Sequence, residues 1–583
     1  MALSTPSESP AVVVKEIDLT GGVPNVQSTT GAIVGNFRWG PVHERVNVAN
    51  EAELVSEFAT PDSATTIDFH SAAYFLRYSS SLQVVREATS AAKNAHAETK
   101  QNDSDRPAAP YIENDADFDA QFSALNNDAF TFVAKYPGDL GNSLSIDMCP
   151  ASSSSTIFNA WSYKNEFDAF PQTSTFANTI NASNDELHVV VVDKDGLLSG
   201  TKGQVLETYP FVSVANNAKN ADGSTNYVLD VINARSQYVK MVGFDSDYKL
   251  ASAGTQADSG DNFILSSPSV RTFDFDSGVN SAALTTTEFL TGYDLFEDKD
   301  ITEVDFLIAP SMNSTTDQTT VVNDLITTAQ SLRKDCVVVA SPARDDVVNL
   351  TDPATITTNI VATADTFTNS SYLVADGNFL KVYDKYNDQY INIPAASSTA
   401  GIMAATDLNR APWFSPAGSR RGQYLGITAL NWTPTKSQRD TLYKAGVNPI
   451  ANIPGQGSIL FGDKTKLNRP SAFDRINVRR LFLVLERAIG RAAEQVMFEF
   501  NDEFTRAEFV NIIEPVLREV RGRRGITDFR VVCDETNNTA AVVDRNEFIA
   551  NIFIKPARSI NYVTLNFVAV RTGVDFEEVV GTV

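Results

Sequence analysis

KTKLNRPSAFDRINVRRLFLVLERAIGRAAEQVMFEFNDEF, residues 464–504, opens the stretch from Lys464 to Gly573 around which the rest of the chain is organised. Leu481, Val484, Leu485, Ala488, Ile489, Ala492, Ala493, Val496 and Phe500 recur at spacings of three and four. That period predicts a long helix with one buried stripe. Arg480, Arg487, Arg491 and Glu494 fall on the other side and read as a solvated or partner-facing surface.

A second helix is expected after Phe504, with Thr505-Arg506-Ala507-Glu508 as its capping box. Pro515 predicts a kink or restart inside it. Arg518, Arg521, Arg523 and Arg524 crowd its last turn, where cations suit the negative end of the helix dipole, and Gly522 and Gly525 offer a left-handed exit. Two strand-like runs follow. The first, from Phe548 to Lys555, carries Ile552 and Ile554; the second, from Asn561 to Val570, alternates Val563, Leu565 and Phe567 with polar neighbours. A hairpin through Lys555-Pro556 and Arg558-Ser559 is expected between them. Beyond Gly573 the tail Val574-Asp575-Phe576-Glu577-Glu578-Val579-Val580 is too short to bury itself. The head of the chain, with Val12, Val13, Val14, Lys15, Glu16 and Ile17 behind a Ser/Pro-rich leader, has the same extended character. Paired extended ends of this kind add strands to the sheet edges of other copies.

With 583 residues, the chain exceeds a single ordinary core and predicts three or more compact units. Its formal charge of -25 is uneven. Residues 464–583 hold 18 Lys and Arg against 17 Asp and Glu, leaving 29 against 55 for the remainder. An acidic body argues against nucleic acid as a partner, because phosphate binding needs a basic surface. The three cysteines, Cys149, Cys336 and Cys533, are widely separated and read as buried thiols. Neither a charged-then-apolar leader nor an apolar run of membrane-spanning length occurs, so synthesis and folding in the cytoplasm, without membrane insertion, are expected.

Taken in order, the chain divides into a head (1–20), a first part of the main unit (21–90), an acidic β-rich insertion (91–290), an α/β region (291–463), the C-terminal α+β region (464–572) and a tail (573–583). Gly31 to Gly35 reads as a buried strand, Asn50 to Phe58 as a capped helix, Ser71 to Tyr78 as another, and Leu82 to Arg86 as a strand. In the insertion, Glu186 to Val192 and Val205 to Val214 form a hairpin across Asp195-Gly196. From Gly292 strands and helices alternate: Val304 to Ala309, Thr319 to Leu332, Cys336 to Ala340, Tyr372 to Tyr383, then a helix from Ser397-Ser398. This order implies a parallel sheet covered by helices. The fold class is therefore α/β and α+β, multidomain.

Little catalytic chemistry survives inspection. His43, His70, His96 and His188 all precede the α/β region, so a Ser/His/Asp site there lacks its imidazole. Tyr136-Pro137-Gly138-Asp139-Leu140-Gly141 lacks the Lys-Ser/Thr of a phosphate loop and reads as a turn. Asp193-Lys194-Asp195-Gly196 lacks the remaining ligands of a calcium loop. No metal or cofactor set is recognisable. A hydrolase, or a glycan-binding module in the insertion, is the rival from another class; peptide or ester cleavage, or polysaccharide binding, by the monomer would favour it.

In combination, Ser9-Pro10-Ala11-Val12-Val13-Val14-Lys15-Glu16, Gly40-Pro41, Ala134-Lys135-Tyr136-Pro137-Gly138-Asp139-Leu140-Gly141-Asn142, Ile393-Pro394 with Ala400-Gly401, Pro412-Trp413, and Asn468-Arg469-Pro470 through Glu503 resemble the contractile tail sheath proteins of myoviruses, in particular their longer members. The head departs from that family, where glycine and an aromatic often stand, in having Ala11 and Val13. The resemblance implies a sheath subunit, not an enzyme. It implies stacking in six-fold rings around a tail tube, contact with baseplate and tail terminator proteins, and contraction that drives the tube through a host envelope. It also implies a virion tail location after assembly in host cytoplasm, and a subtilisin-like shape for the α/β region without protease activity. The sheath of another contractile injection particle is the near alternative. On this reading Val12 to Ile17 and Val574, Phe576 and Val580 exchange between copies beside Phe548, Ile552, Ile554, Val563, Leu565 and Phe567. Glu514, Arg518, Arg521, Arg523 and Arg524 are the expected tube-facing set.

Overall fold

The computed structural model describes residues 29–97, 109–122, 131–244, 253–264 and 268–560. The head Val12 to Ile17, the strand with Val563, Leu565 and Phe567, and the tail with Val574, Phe576 and Val580 lie outside the described residues. The chain forms two compact units, one running through Gln27–Ala411 and Pro416–Ile476, the other containing Pro412–Ser415 and the segment from Asn477 onward. Residues 464–476 are tied to the first unit: Lys464 and Lys466 donate to the carbonyls of Tyr443 and Ala445, and Arg475 pairs with Asp463 at 2.9 Å.

Seven strands form the main sheet of the first unit: β1 (Gly31–Gly35), β2 (Arg45–Val48), β3 (Leu82–Arg86), β4 (Phe306–Ile308), β5 (Val337–Ala340), β6 (Leu373–Asp376) and β7 (Val447–Asn448). Their order is β7-β6-β5-β4-β1-β3-β2. All neighbours are parallel except β2, an antiparallel edge on β3. GAIVG, FLI and VVVA are buried throughout, as strands covered on both faces require. Helices α1 (Thr66–Phe75) and α2 (Ala396–Asn409) pack against each other beside this sheet. The helix expected at Ser71 thus begins earlier. The run from Tyr372 to Tyr383 is two strands rather than one: after β6 the chain turns at Asn378, whose amide donates to Trp432 O at 2.8 Å. Phe379–Asp384 then joins Gln389–Pro394 and Ala429–Leu430 in a separate sheet.

Because β1 to β3 belong to this sheet, the expectation that it has no histidine of its own needs correction. His70 on α1 is buried with Nε2 3.1 Å from Asp384. Thr66, Asn387 and the Tyr386 amide donate to Asp384, holding its carboxyl down at about 2 against the cost of burial. The rings of Phe69, Tyr74 and Tyr386 surround the imidazole. His188, in the insertion, accepts from Phe211 N on Nδ1 and lies 2.8 Å from Ala169 O on Nε2, which fixes one neutral tautomer. These imidazoles brace the fold.

The insertion has its own core. Arg271–Asp274, Leu144–Pro150, Glu186–Asp193 and Gln204–Ser213 form a four-stranded antiparallel sheet in that order, with the hairpin expected between the last two. Asp193 ends its strand by accepting the amides of Gly196, Leu197, Leu198 and Ser199, so its carboxylate closes a turn where a calcium ligand had been weighed. Tyr136 to Gly141 likewise acts as a joint. Arg86, buried at the end of β3, donates to Gly40 O and Pro137 O at 2.6 Å each, and Arg38 pairs with Asp139 at 3.2 Å. Gly40 (φ 100°) and Gly138 (φ 143°) supply the backbone conformations this joint needs.

Asp376, the last residue of β6, lies under α2 with no exposure to water to speak of. Ala396 N donates to Ser341 Oγ, so the serine proton goes to Asp376 Oδ1 at 2.9 Å, while Oδ2 lies 3.1 Å from Thr399 Oγ1, itself 2.9 Å from Tyr424. Burial pushes this carboxyl from its ordinary 3.8 up to about 7. A raised acid stabilises the fold below its unfolded value, and that stabilisation is lost as pH rises toward the folded one. Stability should therefore fall between about pH 4 and pH 7. Asp376→Asn, whose amide oxygen can accept from Ser341 and whose NH2 can donate to Thr399 Oγ1 once that hydroxyl donates to Tyr424, should be more stable than the native chain at pH 8 by on the order of 3 kcal/mol and show a flatter profile, measured by denaturant melts across pH.

Candidate assembly site

The second unit is built on two helices and a ribbon. Helix α3 (Ile476–Glu494) buries Leu481, Leu485, Ala488 and Ala492 of the expected stripe, with Val478 one turn before it, while Val484, Ile489 and Ala493 are half-buried. It stops at Glu494, so Val496 and Phe500 fall outside it and Phe500 is exposed. The supposed solvated side is also revised: Arg480 is buried, Arg487 and Arg491 are half-buried, and only Glu494 is open to water.

Helix α4 (Glu503–Gly522) starts earlier than expected because Asp502, not Thr505, caps it, accepting from Thr505 N at 2.8 Å. Thr505 is turned inward with Arg506, Phe509, Ile513, Leu517 and Val520. This stripe runs unbroken past Pro515, so the predicted restart does not occur. Pro515 and Asn511 are both exposed, and the carbonyl that loses its donor faces water. At the C-terminus neither glycine makes the left-handed exit; Arg524 does, at φ 68°. Gly525 is needed for a different reason. A Cβ there would lie 2.7 Å from Val520 Cγ1 and 3.0 Å from the Trp413 ring. Trp413 belongs to this unit through Pro412–Ser415, donates from Nε1 to Arg523 O at 3.1 Å, and carries the Arg523 guanidinium 5.1 Å from its ring centre.

After Gly525 the chain forms β8 (Ile526–Val532), which pairs antiparallel with β9 (Asn551–Pro556). Ile552 and Ile554 therefore pair first with Val531 and Phe529, a partner strand that the hairpin reading overlooked. Apolar-polar alternation in Ile526 to Val532 directly after a glycine was the available signal. The ribbon has two unlike faces. Phe529, Val531, Ile552 and Ile554 are half-buried, while Asp528, Arg530, Phe553 and Lys555 face outward. Phe548, also half-buried, meets Phe509 edge-on at 5.2 Å. Among the described residues the ribbon pairs with no third strand.

The five expected tube-facing residues share the C-terminal part of α4 and its exit. Arg518 pairs with Glu514, Arg523 with Glu519 at 3.4 Å, and Arg521 and Arg524 are exposed. Exposed pairs of this kind contribute little stability.

Models of the phage tail sheath protein central domain and the phage tail sheath C-terminal domain match residues 283–466 and 468–569. The tail sheath protein of Vibrio phage KVP40 is 30% identical over 696 residues, covering 98% of this chain and 99% of its own. That of Enterobacteria phage T4 is 30% identical over 658 residues, again covering 98% and 99%. Among solved structures, the sheath tail protein of Listeria innocua is similar in fold, with a TM-score of 0.54 at 12% identity over 93% of this chain and 94% of that one.

Gly525→Ala should destabilise the C-terminal unit by about 1–3 kcal/mol, because a β-branched valine and an indole ring must both give way. The expected result in a denaturant melt followed by tryptophan emission is an earlier transition; a curve superimposable on the native one would show that the contact relaxes freely.

Proposed function

The chain belongs to the phage tail sheath protein family, and from that premise we propose how its copies are joined. It is a structural subunit of a contractile phage tail. Residues Val12 to Ile17 of one copy and Val574 to Val580 of another add as strands beside the ribbon of a third, with the segment holding Val563, Leu565 and Phe567 taking part in the same sheet.

The observation that supports this reading is the ribbon itself. Among the described residues, two short strands with one face on α4 have no further strand along either outer edge. Strand addition satisfies the backbone groups of such an edge through the main chain and so tolerates changes in side chains. Such contacts between unlike surfaces of identical copies propagate instead of closing in pairs. Flexible connections let copies rotate while remaining linked. The extended array is then a metastable packing; contraction reaches a state that buries more surface between copies, and many subunits contributing a few kcal/mol each supply the work.

Glu514, Arg518, Arg521, Arg523 and Arg524 form the surface turned to the tube on this reading. Being largely polar, it releases when the sheath widens. The open, mostly parallel main sheet serves as a subtilisin-like scaffold without protease function, and the remaining partners are the baseplate and the tail terminator. Assembly occurs in the host cytoplasm, and neither nucleic acid nor membrane insertion is required.

Deleting residues 1–18 should give a folded, soluble monomer that forms no cylinders in negative stain; native-looking cylinders would refute the linkage. Reversing charge at Arg521, Arg523 and Arg524 should weaken assembly on tubes at least about tenfold more than tube-free polymerisation, measured by sedimentation, and equal effects would remove the tube assignment.

A further inference from the structure

The turn between α3 and α4 displays Phe498 and Phe500 at relative exposures of 103% and 84%, and the first turn of α4 adds Phe504 at 77%. Isolated exposed apolar residues are ordinary, but a cluster of three rings with Met497 beside them marks an interaction surface. The cluster is held in place. Asn501 donates to Glu547 O at 2.8 Å, and buried Arg506 donates to Asn501 Oδ1 at 2.8 Å. Phe498 sits at φ 70°, a conformation that a bulky L-residue adopts only when its surroundings impose it. The rings are thus presented on a fixed base, which lowers the entropic cost of docking them. Glu499 and Glu503 stand exposed among them, making the tip both aromatic and acidic.

The outer face of the ribbon has the complementary character. Phe553, 59% exposed, is paired across the strands with Arg530 and followed by Lys555 two positions along the same face. Asp528 stands across from Lys555 and 4.0 Å from its ammonium, so the rim of this apolar centre carries two cations and one carboxylate, a net positive face opposite aromatic rings flanked by two carboxylates. Tip and ribbon face are both open within one chain, so they do not cover each other there.

We infer that the Phe498–Phe500 tip of one copy docks on the Arg530–Phe553–Lys555 face of a second copy of this chain. The contact uses the face of the ribbon and leaves its edges free for strand addition. It joins unlike patches and therefore runs in one direction through the polymer. The inference rests on the reading that the chain polymerises with itself, which native cylinders test independently.

The experiment uses the full chain in tube-free polymerisation followed by sedimentation. Phe498→Ser with Phe500→Ser should leave the melting curve in place and raise the critical concentration about tenfold or more. Glu499→Lys with Glu503→Lys should impair assembly, as should Arg530→Glu with Lys555→Glu. Combining all four charge changes should restore the critical concentration to within about threefold of native. Failure of the combined chain to recover overturns the pairing. Normal polymerisation of the double phenylalanine variant, with loss of assembly only on tubes, overturns it too, by assigning the tip to the tube.

Discussion

A β-strand points its backbone hydrogen-bonding groups alternately toward its two edges, so a strand with one neighbour leaves about half of them to be satisfied on the other side. The ribbon of Ile526–Val532 and Asn551–Pro556 cannot meet that demand alone, since each of its strands has a single described partner. Two-stranded ribbons are marginal in water and persist when one face is packed. Here that face holds Phe529, Val531, Ile552 and Ile554, and α4 contributes Phe509, Ile513, Leu517 and Val520 to the unit's core. Among the described residues no further strand covers the two outer edges. On the proposed reading, other copies supply strands to those edges, and the joining of subunits follows from that addition.

Other parts of the C-terminal unit support the same geometry. The Asp502 cap fixes where α4 begins, and the close approach of Val520 and Trp413 to Gly525 fixes where the chain leaves it for the ribbon. The Asn538 side chain spans the loop between the strands, donating to Ile549 O and accepting from Ile549 N at 2.8 and 2.9 Å. In the larger unit the groups that could have carried chemistry are engaged in structure: His70 with Asp384, His188 with backbone on both nitrogens, Asp376 with Ser341 and Thr399, and Asp193 with four successive amides. Their conformations serve rigidity.

Much of this was legible in the sequence where a single period or a single turn residue governs. Gly31–Gly35 and Leu82–Arg86 occur as read, because buried parallel strands are continuous apolar runs. Asn50 caps its helix as expected, accepting from Glu53 N. The errors share a physical cause, namely that tertiary packing chose between local options of similar merit. Asp502 and Thr505 were both competent caps, and the buried stripe selected the former by drawing Thr505 inward. The left-handed exit fell to Arg524 rather than a glycine because Gly525 was committed to close packing. Arg480 was assigned to solvent by its charge, yet it lies buried. The aromatic tip was missed because Phe500 continues the helical period on paper, although the helix has already ended at Glu494.

The central claim is that the edges of this ribbon are completed by other copies. A density map of the assembled tail at a resolution that traces side chains tests it most directly. The account predicts that residues 12–17 and 574–580 are found hydrogen-bonded beside Ile526–Val532 and Asn551–Pro556 of neighbouring copies. Finding each terminus folded back on its own molecule, with the ribbon edges facing solvent, would contradict it.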